Sequence, residues 1–238
     1  MHLLAISTST PHWTVWLHRG DGWHRGVAAE AGRGTGERAS LTRLVWDLLA
    51  AAELQPAELQ RVVCDVGPGS FTGLRQGLAL ARALAWAHGI PTHAAGSLDA
   101  MAWQTQPLLL PHDRLVVALP ARADVDFIAL RDGQTLHEQA LTAAEAPAWW
   151  QHAQPTVLAV PAADRTRALA RLALGTGARV LEVQPEAETM GRWSLSQPIA
   201  ASALTPRYLA VSEAEVNAGV AMPEVTLLAE DRSGAPNP

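Results

Sequence analysis

The stretch Arg61-Val62-Val63-Cys64-Asp65-Val66-Gly67-Pro68-Gly69-Ser70-Phe71-Thr72-Gly73-Leu74-Arg75 decides how this chain is read. Its first six residues form a short, mainly apolar run of the length expected for a buried strand. Gly67-Pro68-Gly69-Ser70 breaks the run, and Ala- and Leu-rich sequence from Thr72 to Ala87 has the make-up of a helix. Gly89-Ile90-Pro91 stops that helix. Strand, tight turn and helix in this order are the working unit of an α/β fold. Gly67, Gly69, Gly73 and Pro68 permit special turn geometry and close backbone approach. Ser70 or Thr72 is placed to cap the helix. A helix start with free N–H groups suits an anion. A structural strand-to-helix turn is the plainer reading, because the sequence offers no Lys and no flanking set of acidic metal ligands. Ser70 makes a poor nucleophile, since a nucleophile elbow needs Gly two residues to either side and finds Pro68 and Thr72.

On the N-terminal side, Leu3–Ile6, Trp13–His18 and Trp23–Ala28 are extended stretches separated by turn-rich sequence, which predicts a three-stranded antiparallel meander. Glu37–Glu53 has helical period. On the C-terminal side a helix is expected over Ser97–Gln104, followed by a break at Pro107–Pro111. Past the break the first pattern returns: Leu115–Leu119 as a strand, Pro120–Asp124 as a turn, Val125–Leu130 as a strand, Arg131-Asp132-Gly133 as a turn and Thr135–Gln139 as a strand. Helical sequence and an apolar strand at Thr156–Val160 come next. Two related α/β units are expected, over residues 1–106 and 107–210, with a partly disordered tail at 211–238 rich in Glu, Ala, Pro and Gly.

Hydrophobic residues at 48% and charged residues at 17% fit a globular chain with a sizeable core. All basic residues are Arg, which excludes Schiff-base chemistry and a P-loop lysine. A net charge of -5 argues against autonomous nucleic-acid binding. Cys64, the single cysteine, lies within an apolar strand and reads as a buried structural thiol. The nine histidines include no paired-His helix motif, so no metal site is expected. Trp149-Trp150 suggests base stacking or, more ordinarily, core anchoring. No charged leader and no membrane-length apolar run are present, so a cytoplasmic protein is the default.

The central motif Gly67–Arg75 closely resembles the hallmark of the TsaB (YeaZ) family. Leu3-Leu4-Ala5-Ile6-Ser7-Thr8-Ser9-Thr10 resembles that family's opening strand and turn, and Pro206-Arg207-Tyr208-Leu209 its late Pro-x-Tyr-Leu motif. The resemblance implies two ribonuclease-H-like units of the actin/hexokinase/heat-shock-chaperone superfamily. It further implies a non-catalytic scaffold in the making of threonylcarbamoyladenosine on tRNA. TsaD would be the catalytic partner and TsaE a further member of the complex. tRNA would be reached only through that complex, and no catalytic residue, cofactor or metal of its own is implied; a homodimer is open to the chain when it is alone. The sequence departs from the family where Asp usually stands, at Ser7 and at Pro120.

Two helical stripes are candidates for the partner seam. Gly73, Gly77 and Ala81 fall at four-residue steps on the second helix, with Leu74, Leu78 and Ala85 on the adjacent stripe. Leu41, Leu44, Val45, Leu48 and Ala52 line the first helix. Taken alone, these stripes fit ordinary core packing. The resemblance implies that they meet TsaD in a four-helix bundle. Two other readings stay open: a superfamily enzyme, kinase-like or glycoprotease-like, and a homodimeric scaffold outside the tRNA pathway.

Overall fold

The computed structural model describes residues 1–31, 40–122, 124–132, 135–171, 177–196 and 201–209. β1 (Leu3–Ser7), β2 (His12–His18) and β3 (His24–Glu30) form the expected antiparallel meander. α1 (Leu41–Ala51) crosses to β4 (Arg61–Gly67), which runs parallel to β1. α2 (Phe71–His88) crosses to β5 (Thr92–Gly96), and α3 (Ser97–Thr105) follows. The same order then recurs as β6 (Leu115–Arg122), β7 (Val125–Asp132), β8 (Thr135–Thr142), α4 (Ala146–Ala153), β9 (Val157–Val160), α5 (Arg165–Arg171), β10 (Arg179–Glu182) and α6 (Ala187–Leu195). The two five-stranded sheets have matching orders, β3-β2-β1-β4-β5 and β8-β7-β6-β9-β10. Each joins an antiparallel meander to two parallel strands, which is the ribonuclease-H-like arrangement used twice.

β1 is unbroken in its hydrophobicity because both of its faces are covered. Leu4 and Ile6 pack with Val45 and Leu48 of α1 and Leu74 and Leu78 of α2. Leu3 and Ala5 face the other way, toward Ala187 and Met190 of α6. Thus α6, from the second half of the chain, covers the first sheet. Reciprocally, Leu98, Met101 and Ala102 of α3 pack on Leu115, Val117, Phe127 and Val157 of the second sheet. The two units exchange their last helices, so a boundary at residue 106 divides the chain order but not the core. Residues 201–209 also return to the first unit. Ser202 N–H donates to Thr92 O at 2.9 Å, Arg207 N–H donates to Val66 O at 2.6 Å, and Leu204 is buried among α2 and β4 side chains.

Several element ends differ from the sequence expectation. α1 starts at Leu41, with Ser40 capping it by accepting from Arg43 N–H, whereas a helix from Glu37 was expected; residues 37–39 lie outside the described residues. β6 continues through Pro120 to Arg122 instead of turning there. A register shift between Pro120 and Arg122 accommodates this in the pairing with β7. β8 extends to Thr142. Trp150 belongs to the core under the second sheet and packs with Leu158, which favours anchoring over stacking on bases. The expected tail at 211–238 lies outside the described residues.

Candidate functional site

The Gly67–Arg75 motif joins the end of β4 to the start of α2. Ser70 is the cap of that helix: its Oγ accepts from Gly73 N–H at 3.2 Å, and its own N–H donates to Ser9 O at 2.6 Å. Two of the backbone and side-chain groups that would face an anion are therefore engaged within the chain, and the structural reading of the turn carries more of the geometry. Gly67 has φ +102°, and a Cβ there would lie 2.9 Å from Arg207 O and 3.0 Å from Leu74 Cδ1. Only glycine meets both conditions. Gly77 has a different need: a Cβ there would overlap the Thr8 side chain. The small-residue stripe of α2 thus receives the Ser7–Thr10 turn of this same chain.

Beside the motif lies a carboxylate that the sequence reading passed over as part of an apolar strand. Asp65 is fully buried at the end of β4. Ser97 Oγ donates to its Oδ1 at 2.6 Å and Gly67 N–H donates to Oδ1 at 2.9 Å. Ser7 Oγ lies 2.9 Å from Oδ2 and also contacts Pro185 O. Burial pushes this carboxyl up from the usual carboxylate range, and the surrounding hydrogen bonds pull against that. Ser7 has one hydroxyl proton and two acceptors in reach, while Pro185 O can only accept. The Ser7 hydroxyl is thus shared between Asp65 Oδ2, to which it donates at 2.9 Å, and Pro185 O. Ser7, at the position where the resembling family usually has Asp, makes this sealed pairing without a second charge. The alternation of hydroxyl residues at Ser7 and Ser9 opposite Asp65 was a usable signal, but the register that joins β1 to β4 is set only by the sheet. In the second unit Pro120 pairs with Asp126, whose buried carboxylate is bound by Arg171 at 2.9 Å. Burial pushes up the Asp126 carboxyl, and Arg171 opposes the shift.

The late motif docks on the central one. Arg207 bridges Asp99 of α3 at 2.8 Å and Glu138 of β8 at 3.1 Å, tying the returning segment to both units. Glu138 is nearly buried, and desolvation lifts its carboxyl to about 7 despite the attraction of Arg207. Tyr208 packs on Phe71 with ring centroids 5.1 Å apart, and the Arg75 guanidinium sits 4.8 Å from the Phe71 ring centroid. Cys64 is buried, and burial pushes its thiol up, away from reactivity.

The structure changes the expected partner seam. Leu41, Val45, Leu48, Ala52, Leu74, Gly77, Leu78, Ala81 and Ala85 are buried inside this chain, and Leu44 packs partly buried against the same core. They face the first sheet and so are not presented to another protein. The helical period located the buried stripe correctly, but the side of the helix that remains open is its complement. Phe71, Thr72, Arg75, Gln76, Ala79, Ala83 and Trp86 point outward from α2, and Arg43, Trp46 and Asp47 from α1. Trp86 is 89% exposed and Trp46 45% exposed. Large aromatic side chains this open are informative, because they are ordinarily covered. Among the described residues no cluster of His, Cys, Asp and Glu is arranged to hold a metal ion, and no helix is long and apolar enough to cross a membrane.

The model of the family described as TsaD, tRNA N6-adenosine threonylcarbamoyltransferase, matches residues 37–171, more than half of the chain. The chain belongs to this family. An uncharacterized protein of Mycobacterium leprae is 41% identical over 135 residues, which are 55% of this chain and 36% of the relative. An uncharacterized protein of Mycobacterium tuberculosis is 40% identical over 134 residues, 55% of this chain and 60% of the relative. The matches thus span from about a third to three fifths of these relatives' lengths. The tRNA threonylcarbamoyladenosine biosynthesis protein TsaB of Bacillus subtilis is 43% identical over 58 residues, 24% of this chain and 25% of that protein. In three dimensions, YeaZ from Pseudomonas aeruginosa superposes with a TM-score of 0.66 at 22% identity, covering 87% of this chain and 99% of YeaZ. The two chains share a fold along nearly all of YeaZ, and the TsaB (YeaZ) resemblance first read from three short motifs extends to the whole two-unit architecture.

Proposed function

We propose that this chain is a non-catalytic scaffold subunit in the formation of threonylcarbamoyladenosine on tRNA, binding a TsaD-type catalytic subunit through the outward surface of α1 and α2. The observation that supports the reading is that open surface. Two helices lie side by side over one face of the first sheet, and their far sides display Trp46, Phe71, Ala79, Ala83 and Trp86. Trp and Tyr at the centre of a patch are typical binding anchors. The strand-end carboxylate supports the scaffold part of the reading. Asp65 is sealed beneath the Ser7 and Ser97 hydroxyls rather than presented to a substrate. In this reading tRNA is reached through the complex, with TsaE as a further member, and the chain works in the cytoplasm.

The test is co-purification with the TsaD-type protein of the same organism, followed by assay of threonylcarbamoyl transfer to tRNA with and without this chain. The expected result is a stable pair whose transfer activity requires both proteins. Transfer by the TsaD-type protein alone at the same rate would remove the scaffold role.

A further inference from the structure

The outward face of α2 has a charge pattern that goes beyond its exposed aromatics. From Phe71 to His88 the helix contains Arg75, Arg82 and His88 and no Asp or Glu, in a chain whose net charge is -5. On the adjacent outward surface of α1, Asp47 is matched by Arg43 at 3.5 Å. Arg82 donates to Leu204 O of the returning segment and keeps its positive charge at the surface. Arg75 is held over the Phe71 ring, which is backed by Tyr208, and no ion pair is made to it among the described residues. A guanidinium posed on an aromatic face retains its N–H edge for an acceptor. The helix therefore presents a stripe of apolar anchors flanked by cations to which no carboxylate among the described residues is paired.

We infer that this face is built for a partner helix carrying carboxylates opposite Arg75 and Arg82, and that it selects such a partner over a second copy of this chain. The inference rests on the reading of the α1–α2 surface as the docking surface. The reason is symmetry. A two-fold pair brings the same patch of both copies together. In such a pair α2 would set Arg75 and Arg82 against a second cationic helix, with Asp47 already matched by Arg43. Like charges brought together in an interface disfavour that pairing, while opposite charges speed encounter and fix register. An acidic, amphipathic helix meets both the apolar anchors and the cations.

The experiment uses the full chain and the TsaD-type protein of the same organism, with affinity measured by calorimetry at roughly 0.1 and 0.5 M salt, where screening lengths differ about twofold. Self-association of the full chain is followed by sedimentation under the same conditions. The expected result is an affinity that falls with salt, weakens about tenfold or more in Arg75→Glu and less in Arg75→Gln, with unchanged thermal melts. The wild-type chain should self-associate more weakly than it binds the partner, and Arg75→Glu should strengthen self-association. Partner binding indifferent to salt and to Arg75→Glu, or a wild-type homodimer tighter than the mixed pair, overturns the inference while leaving the docking surface in place. A wild-type chain that binds no TsaD-type protein at either salt overturns the docking reading itself, and the inference with it.

Discussion

The two units of this protein share one topology and use it differently. In the first, the helices on the outer face of the sheet are 11 and 18 residues long; α4, the counterpart of α1 in the second, is 8. The longer pair buries one stripe and exposes another, with Trp46 and Trp86 in the open, whereas Trp150 of the shorter α4 is in the core. The strand-end carboxylates differ in the same way. Asp65 is buried among the Ser7 and Ser97 hydroxyls, and Asp126 is paired with Arg171. A duplicated fold thus supplies two equivalent frames, and helix length and a few polar pairings decide which frame is left with a surface to offer.

The comparison is sharpest on α2, whose two sides should respond oppositely to substitution. Gly77→Val places a branched side chain against Thr8, so it is expected to destabilise the fold by about 3 kcal/mol, the upper part of the overpacking range. Ala81→Leu, also inward, should cost about 1–3 kcal/mol. Both are read from thermal or denaturant melts. A melt unchanged by Ala81→Leu would mean that this side of the helix is not core, and the division between the two faces would collapse.

Trp86→Ala should do the reverse. Its side chain is open, so stability is expected to shift by no more than about 0.5 kcal/mol. Binding of a TsaD-type partner should weaken by about 2 kcal/mol, roughly thirtyfold. Calorimetric titration of the folded variant measures this directly. Full-strength binding by Trp86→Ala would move the docking surface away from α2.

The carboxylate comparison is tested at Asp65 and Asp126. Asp65→Asn keeps an acceptor for Ser97 and offers its amide N–H to Ser7, whose own proton then goes to Pro185 O, and should cost less than about 1 kcal/mol, while Asp65→Ala leaves buried groups without partners and should cost about 1–3 kcal/mol. Asp126→Asn, in contrast, removes the charge from a buried 2.9 Å ionic contact with Arg171 and is expected to cost more than Asp65→Asn. Equal melts for the two Asn variants would erase the distinction between the units.

The smallest expected effect concerns the contact that joins them. Glu138 carries its proton up to about 7 in the folded chain, above its ordinary value of 4.5. Its contribution to stability is therefore fully present below about pH 4.5 and is lost as pH rises through about 7. Glu138→Gln fixes the side chain in the neutral form. Between about pH 5 and pH 9 the variant should gain on the wild type by on the order of 1 kcal/mol. The charged groups facing this site are Arg207 of the returning segment and Asp99 of α3, and Arg207 also feels Asp65 of β4. Parallel pH–stability curves for the two proteins would show that Glu138 is more solvated than its burial implies.

By itself the sequence determined the repeated meanders, the strand–turn–helix at Arg61–Ala87, the buried thiol of Cys64 and the inner stripes of α1 and α2. These follow from short-range periodicity and from Gly, Pro and cap residues, whose effects are local. Ser70 and Gly89 mark the ends of α2 because a cap and a left-handed residue act within one turn of their own position. Only the tertiary structure decided which neighbour covers each stripe. Periodicity says that Gly77 and Ala81 share a face; it does not say that Thr8 fills the groove they leave, since Thr8 arrives through the pairing of β1 with β4. The exchange of α3 and α6, the meeting of Ser7, Asp65 and Ser97, and the docking of Arg207 on Asp99 and Glu138 are likewise contacts between residues far apart in the chain. Such contacts are fixed by sheet register and by the packing of whole helices, and no local pattern around either partner records them.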